Sequence, residues 1–252
     1  MTKIKALVIA ETGGGKTHYL GTYPDVFDII TEPGGETTLE NKPALWKNIR
    51  EIRHAIPSPV LDVKDVFSNI ELYTTEAHKL FADDKIKTLG LDNATYLMKN
   101  RWEYIRKYQK QVSSKTGQED TRSMYGELRR WAYWFFLRNM ISFPGNVVVT
   151  VHIAQEDEEA MAKKPASMKQ YDVVANILGG FRDEIGGLFD IVMYLDKIVK
   201  QGKTQYLARV NKGNGKLAKN RFNLPDIIEN ISYQTILEQI EKQKRAINGK
   251  EK

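Results

Sequence analysis

Ala10-Glu11-Thr12-Gly13-Gly14-Gly15-Lys16-Thr17 follows directly on the apolar run from Ile4 to Ile9. This junction constrains the fold more than any other part of the chain. A buried strand that breaks into three glycines and resumes as helix is a strand-loop-helix unit, the opening of an α/β layered domain. Without Cβ atoms, the glycine backbone can curl around phosphate oxygens with its N–H groups turned inward, and the positive end of the following helix adds to the attraction. Lys16 is then placed to reach β- and γ-phosphates, and the Thr17 hydroxyl to ligate Mg²⁺. The expected nucleotide contacts are Glu11, Thr12, Gly13, Gly14, Gly15, Lys16, Thr17 and His18. Such loops usually open with Gly; position 10 is Ala, which is small enough for the tight turn.

The chain has 252 residues, enough to bury a full α/β core. No apolar run reaches the length of a membrane span, and Met1-Thr2-Lys3 enters the first strand at once, so neither a targeting segment nor a membrane anchor is expected. A soluble, cytoplasmic protein is the expectation. There is no cysteine, which removes disulfides, thiolate nucleophiles and most structural zinc sites. The four histidines, 18, 54, 78 and 152, are too scattered for a metal cluster. A formal charge of +6 favours a polyanionic partner, though only mildly.

β-prone runs alternate with helical patterns, as a mostly parallel twisted sheet covered on both faces requires. Strands are expected at Lys3 to Ala10, Val26 to Thr31, Lys87 to Asp92 and Asn146 to His152. Helices are expected after the glycine loop, stopped by Pro24, then at Val63 to Leu80, 95 to 110 and 124 to 141. Asp190 to Val199 and Thr204 to Val210 flank Lys200-Gln201-Gly202-Lys203 and read as a β-hairpin, so antiparallel strands should close the C-terminal side. Residues 154 to 170 form a long polar connection of the kind that carries function. A helix is expected from Asp226 onward, with Ile228, Ile231, Ile236, Leu237 and Ile240 on its apolar face, fading into a lysine-rich tail. This divides the chain into a core over 1–225 and a C-terminal helix and tail over 226–252.

Several polar residues fall at strand ends. Asp92 ends an apolar strand, where a phosphate-loop protein keeps the carboxylate that holds Mg²⁺; the alternative is an Asp capping the next helix. Asn93 follows it and cannot accept a proton, so the group that deprotonates or orients water is sought on a neighbouring strand end. Glu32, beside Pro33-Gly34-Gly35, fits that role. His152 closes the Val147 to Val151 strand, where it could contact the γ-phosphate or its water, or serve as a structural histidine. His18, His54 and His78 carry no chemical signal of their own. Lys219 and Arg221, two apart in an extended segment, could stabilise charge on a phosphate in their own subunit or in a neighbour, or form a solvated basic turn.

The ordered set from Ala10 to Thr17, Glu32, Asp92, His152 and Lys219/Arg221 resembles the RecA-like P-loop ATPase core. It is most similar to the short phage-encoded nucleotide-binding recombination proteins of the Sak type. The likeness covers residues 3 to 225 and rests on Thr31-Glu32-Pro33-Gly34-Gly35, Gly90-Leu91-Asp92-Asn93, Thr150-Val151-His152, Phe189-Asp190-Ile191-Val192 and Ala218-Lys219-Asn220-Arg221. The resemblance implies an ATP- and Mg²⁺-dependent hydrolase working in a bacterial host cell on single-stranded DNA, in recombination, annealing or replication. It implies Glu32 as the residue that activates water, His152 as the sensor of the γ-phosphate, and the segment 153–170 as facing DNA. Lys219 and Arg221 would complete a neighbour's site in a ring or filament, and a single-strand-binding protein is an implied partner.

Single-strand binding combines cations with aromatic faces. Candidates are Arg101 to Lys110, Arg129 to Arg138 and, preferred, the polar segment 111–123 with Lys110, Lys115 and Arg122. Lys163, Lys164 and Lys169 add cations later, opposed by Glu156, Asp157, Glu158 and Glu159. Two other functions use the same loop: a small-molecule or nucleoside phosphotransferase, and a nucleotide-gated protein-binding scaffold.

Overall fold

A parallel stretch of β-sheet carries the molecule's core, and its strands are apolar on both faces because helices cover both. The computed structural model describes the chain except for Met1, Gly35, Val60, Lys110 and residues 114–116, 156–172, 201, 212–217 and 249–252. The strands are β1 (Lys5–Ala10), β2 (Val26–Ile30), β3 (Ile49–His54), β4 (Thr88–Asp92), β5 (Asn146–Gln155), β6 (Val173–Ala175), β7 (Ile191–Lys200), β8 (Lys203–Arg209), β9 (Lys219–Asn220) and β10 (Ile227–Glu229). The sheet runs β10-β8-β7-β1-β5-β4-β2-β3, parallel from β7 to β3. The expected hairpin is present: β7 and β8 pair antiparallel, and β10 extends that edge.

Along β1 the side chains alternate between the two faces. Leu7 and Ile9 join one buried cluster with Phe27, Ile29, Leu89, Leu91, Val147 and Val149. Three helices contribute to that cluster: α4 (Val63–Ala82), α5 (Ala94–Tyr108) and α6 (Thr121–Phe135), the last continuing as a π-helical turn to Ile141. Ala6, Val8 and Ala10 join the other, with Tyr19, Leu20, Tyr23, Val148 and Met193. That second face is covered by α1 (Lys16–Leu20) and by the C-terminal helix, which supplies Tyr233, Ile236 and Ile240.

Three expectations are corrected. The C-terminal helix begins at Tyr233 rather than Asp226, because Ile227–Glu229 pairs with β8 as an edge strand first. Between β2 and α4 lie two one-turn helices, α2 (Thr37–Glu40) and α3 (Pro43–Trp46), and strand β3, none of them expected. β5 runs three residues beyond His152 before the polar connection, whose residues 156–172 lie outside the described ones. After 3₁₀ turn Gly180–Asp183 and the short α7 (Ile185–Leu188), β7 re-enters the sheet, and the C-terminal helix is α8 (Tyr233–Asn248). Among the described residues no helix is long and apolar enough to cross a membrane.

Candidate nucleotide site

Four neighbouring strands, β1, β5, β4 and β2, deliver their C-terminal ends side by side. Each contributes one expected residue or loop. The glycine loop leaves β1 after Ala10, His152 lies on β5 in register with Ala10, Asp92 ends β4 in register with Ile30, and Glu32 follows β2. The sheet's geometry thus gathers Lys16, Thr17, Glu32, Asp92 and His152 from 136 residues of sequence separation.

The loop's glycines are there for backbone reasons. Gly13 and Gly15 have φ of 73° and 96°, values costly for a side-chain-bearing residue. A Cβ on Gly14 would stand 2.9 Å from that of Ala10, so the alanine at the loop's first position is accommodated because Gly14 faces it.

Lys16 is buried, 6% exposed. Its ammonium donates to the carbonyls of Glu11 (2.9 Å) and Ala10 (3.3 Å), and lies 3.1 Å from His152 Nδ1. Burial lowers its pKa, while Asp92 and Glu32 work against that shift. An ammonium only donates, so Nδ1 presents its lone pair and the neutral ring carries its proton on Nε2. Nε2 then donates to Glu32 Oε2 at 3.0 Å. The Asn93 amide donates to the same carboxylate oxygen. Asn93 is held for this by its other end, because its Oδ1 accepts from Tyr96 N at 3.1 Å and caps α5. Asn93, not Asp92, is therefore the cap.

Asp92 is 2% exposed. One oxygen accepts from Thr17 Oγ1 at 2.5 Å and the other from the Thr150 hydroxyl. Burial raises its pKa, and Thr150, Thr17 and Lys16 pull it back down. A hydroxyl and a carboxylate side by side are hard oxygen donors, which suit Mg²⁺. Among the described residues no group of three or more His, Cys, Asp or Glu could hold a metal.

A cavity of about 510 Å³ lies over the loop, lined by Gly13, Lys16, Thr17, Glu32, His152 and Tyr206 among others. On its other side Glu32 also faces a cavity of about 410 Å³ with Tyr96, Lys99 and Asn176. A ligand anchored on Lys16 and Thr17 would therefore present its far end to a carboxylate that solvent can reach. A scan against family models matches residues 2–222 to an AAA domain, AAA_24. The chain belongs to this AAA domain family.

AAA domains are P-loop nucleotide-binding ATPase domains, which agrees with the cavity over Lys16. No curated protein matches the chain. Among solved structures, the AAA domain is similar to a prototypical ATPase from the type III secretion system of pathogenic bacteria, with a TM-score of 0.47 and 15% identity over 76% of this chain. The match spans 51% of that protein, about half its length.

Two expected residues are not brought to the site within this AAA domain chain. β9 carries Lys219 beside Val192 at the start of β7, which runs beside Ala6 and Leu7, at the opposite edge of the sheet from the loop. There Lys219 donates to the carbonyls of Gly186 and Gly187, and Arg221 pairs with Asp190 at 3.1 Å. A role for them in their own subunit's site does not fit this geometry. Of the DNA-binding candidates, Arg101 is 8% exposed and sits 4.6–5.3 Å from the rings of Phe67, Tyr104 and Trp131, while Trp102 stacks on Tyr125. Both are structural. In the later stretch Phe135 and Phe136 are core, whereas Trp134 is 60% exposed. Lys110, Lys115, Lys163, Lys164 and Lys169 lie outside the described residues.

Sequence reasoning missed Asn93, Thr150 and Tyr206. A threonine inside an apolar strand, two residues before His152, was a usable signal for Thr150, since alternation places positions 150 and 152 on one face. Tyr206 had none, because it reaches the loop from a distant hairpin.

Proposed function

We propose that this chain is a Mg²⁺-dependent ATPase of the RecA-like, Sak-type kind, whose nucleotide state governs binding to single-stranded DNA in phage recombination, annealing or replication. The observation that carries the hydrolytic half is the hydrogen-bonded series Lys16, His152, Glu32. It joins the phosphate-binding lysine to a carboxylate held by two donors at the edge of the cavity. When bound, Mg²⁺ would be held by Thr17 and Asp92 and would neutralise charge on the phosphates. Lys16 would exchange its carbonyl and imidazole partners for phosphate oxygens. His152, relieved of Lys16, has Nδ1 free for a phosphate-bound proton donor or water, so occupancy of the γ-position is felt at Glu32. Glu32 takes the proton of the attacking water.

The DNA half is supported by the resemblance and by the net charge of +6. Lys219 and Arg221, at the sheet edge opposite the loop, are proposed to act on the site of an adjoining subunit. Release of inorganic phosphate, measured with and without single-stranded DNA, tests both halves. Lys16→Ala should abolish turnover, and Glu32→Gln should lower it at least ~100-fold while nucleotide still binds. Full activity in Lys16→Ala overturns the ATPase half; equal rates and no DNA binding at moderate salt overturn the DNA half.

A further inference from the structure

The cavity over the loop continues past His18, Lys42 and Tyr206 into a second one of about 550 Å³, lined also by Thr22, Lys197, Gln205, Asn230 and Ser232. Nothing in the phosphate chemistry uses this space. On the reading above Glu32 and His152, which line the first cavity, mark its γ-phosphate end, so the nucleoside end of a bound triphosphate leaves towards the second.

The passage between the cavities is aromatic. The Tyr206 ring lies on the loop itself: a Cβ built on Gly15 would meet its Cδ1 at 2.4 Å. The His18 ring packs against Tyr206 with centroids 4.7 Å apart and planes tilted by 33°. Lys42 sits 5.7 Å over the Tyr206 ring and donates to His18 Nδ1 at 3.0 Å. Burial, with Lys42 close by, pushes the His18 pKa down to about 4, so this pair of rings is uncharged near neutrality. An uncharged aromatic pair directly beside a phosphate cradle, with His18 next after Thr17 and Tyr206 lying on Gly15, is a stacking platform. Beyond it stand two amides, Gln205 and Asn230, and among the described residues no carboxylate lines this cavity. Side-chain amides match the donor-acceptor edge of adenine, whereas the paired N–H donors of guanine's Watson–Crick edge ask for a carboxylate.

We infer that Tyr206 and His18 seat the base of the bound nucleotide, and that Gln205 and Asn230 select adenine over guanine. This rests on the nucleotide-binding reading above, and the test keeps the two apart by including a ligand without a base. Binding of Mg²⁺-ATP, Mg²⁺-GTP and Mg²⁺-tripolyphosphate is measured by calorimetry on the full chain and on Tyr206→Ala, Tyr206→Phe, Asn230→Asp and Lys16→Ala. Tyr206→Ala should weaken ATP about 10- to 100-fold and leave tripolyphosphate unchanged, because stacking serves the base alone. Tyr206→Phe keeps the ring and should hold ATP as the natural chain does. Asn230→Asp should narrow the preference for ATP over GTP at least about fivefold. ATP bound no more tightly than tripolyphosphate, or equal losses of both in Tyr206→Ala, overturns the base seat while leaving the phosphate loop intact. Equal affinity of the natural chain for ATP and GTP overturns the assignment of Gln205 and Asn230. If no phosphate ligand binds at all, the nucleotide-binding reading itself fails.

Discussion

Glu32 depends on a neighbour that looked inert. Asn93 cannot take a proton, and that property hid its importance, because its amide is what holds the carboxylate that can. The same side chain caps α5 through Oδ1, so its two roles can be separated. Asn93→Ala loses both and should cost about 1 kcal/mol of stability together with roughly tenfold in turnover. Asn93→Asp keeps the capping oxygen but sets a second carboxylate beside Glu32. Its urea midpoint should stay close to the natural chain's while phosphate release falls, and phosphate release that stays at the natural rate would mean that Asn93 acts only as a cap. Asp28 is a different kind of residue: fully buried on β2, with neither oxygen hydrogen-bonded among the described residues. Burial, with Asp92 and Glu36 adding to it, drives its pKa well above the ordinary 3.8. The folded chain then keeps a proton that the unfolded chain releases, so stability falls as pH rises above about 3.8 towards the shifted value. Asp28→Asn removes that slope. Its gain in melting temperature over the natural chain should be larger at pH 8 than at pH 5, and equal gains at both would mean that Asp28 is ionised in the fold.

The elements legible in the sequence are those whose pattern is dictated by burial on two sides. β1, β4 and β5 are continuous apolar runs because helices cover both faces, and their ends could be found because the first polar residue after each run is a site residue. The hairpin β7–β8 was marked by Gly202 at its turn. β3 escaped because Ile49-Arg50-Glu51-Ile52-Arg53-His54 is an edge strand whose charged residues find partners locally, Arg53 bridging to Glu51 and to Glu76 on α4. The helices α2 and α3 are single turns, too short for any periodicity to register. For α8 the apolar positions were recognised but not the start, since Ile228 serves a strand and Ile236 a helix within one unbroken pattern of isoleucines. α8 is no loose appendage: Tyr233 packs on Tyr23 with ring centroids 4.6 Å apart, and Ile236 is fully buried against the face that carries α1. Ile236→Ala should therefore lower unfolding free energy by about 2–5 kcal/mol in urea titration. A change within 0.5 kcal/mol, about what a surface substitution gives, would show α8 to be detachable.

At the scale of the whole molecule, the sheet has two chemically different edges. The strands' C-terminal ends hold Lys16, Glu32, Asp92 and His152; their N-terminal side holds Lys219, donating to the Gly186 and Gly187 carbonyls, and Arg221, paired with Asp190, whose other oxygen accepts from Lys5 N at 3.3 Å. One chain cannot bring these edges together, but a head-to-tail contact between copies can, and such contacts close into rings or run on as filaments. The arrangement predicts complementation between two inactive variants. Lys16→Ala has a dead loop and intact cations; the double variant Lys219→Ala, Arg221→Ala has an intact loop and lacks the cations. In an equal, random mixture, half of all subunits carry a working loop and half of their neighbours carry the cations, so about a quarter of the contacts are complete. Phosphate release from the mixture should accordingly approach about a quarter of the natural rate, with each variant alone near background. Because the effect needs association, it should vanish on dilution, whereas an activity already present in one variant would scale linearly with concentration. No recovery at any ratio, with both variants folded and the double variant still binding nucleotide, would confine Lys219 and Arg221 to pinning the start of β7 to β1.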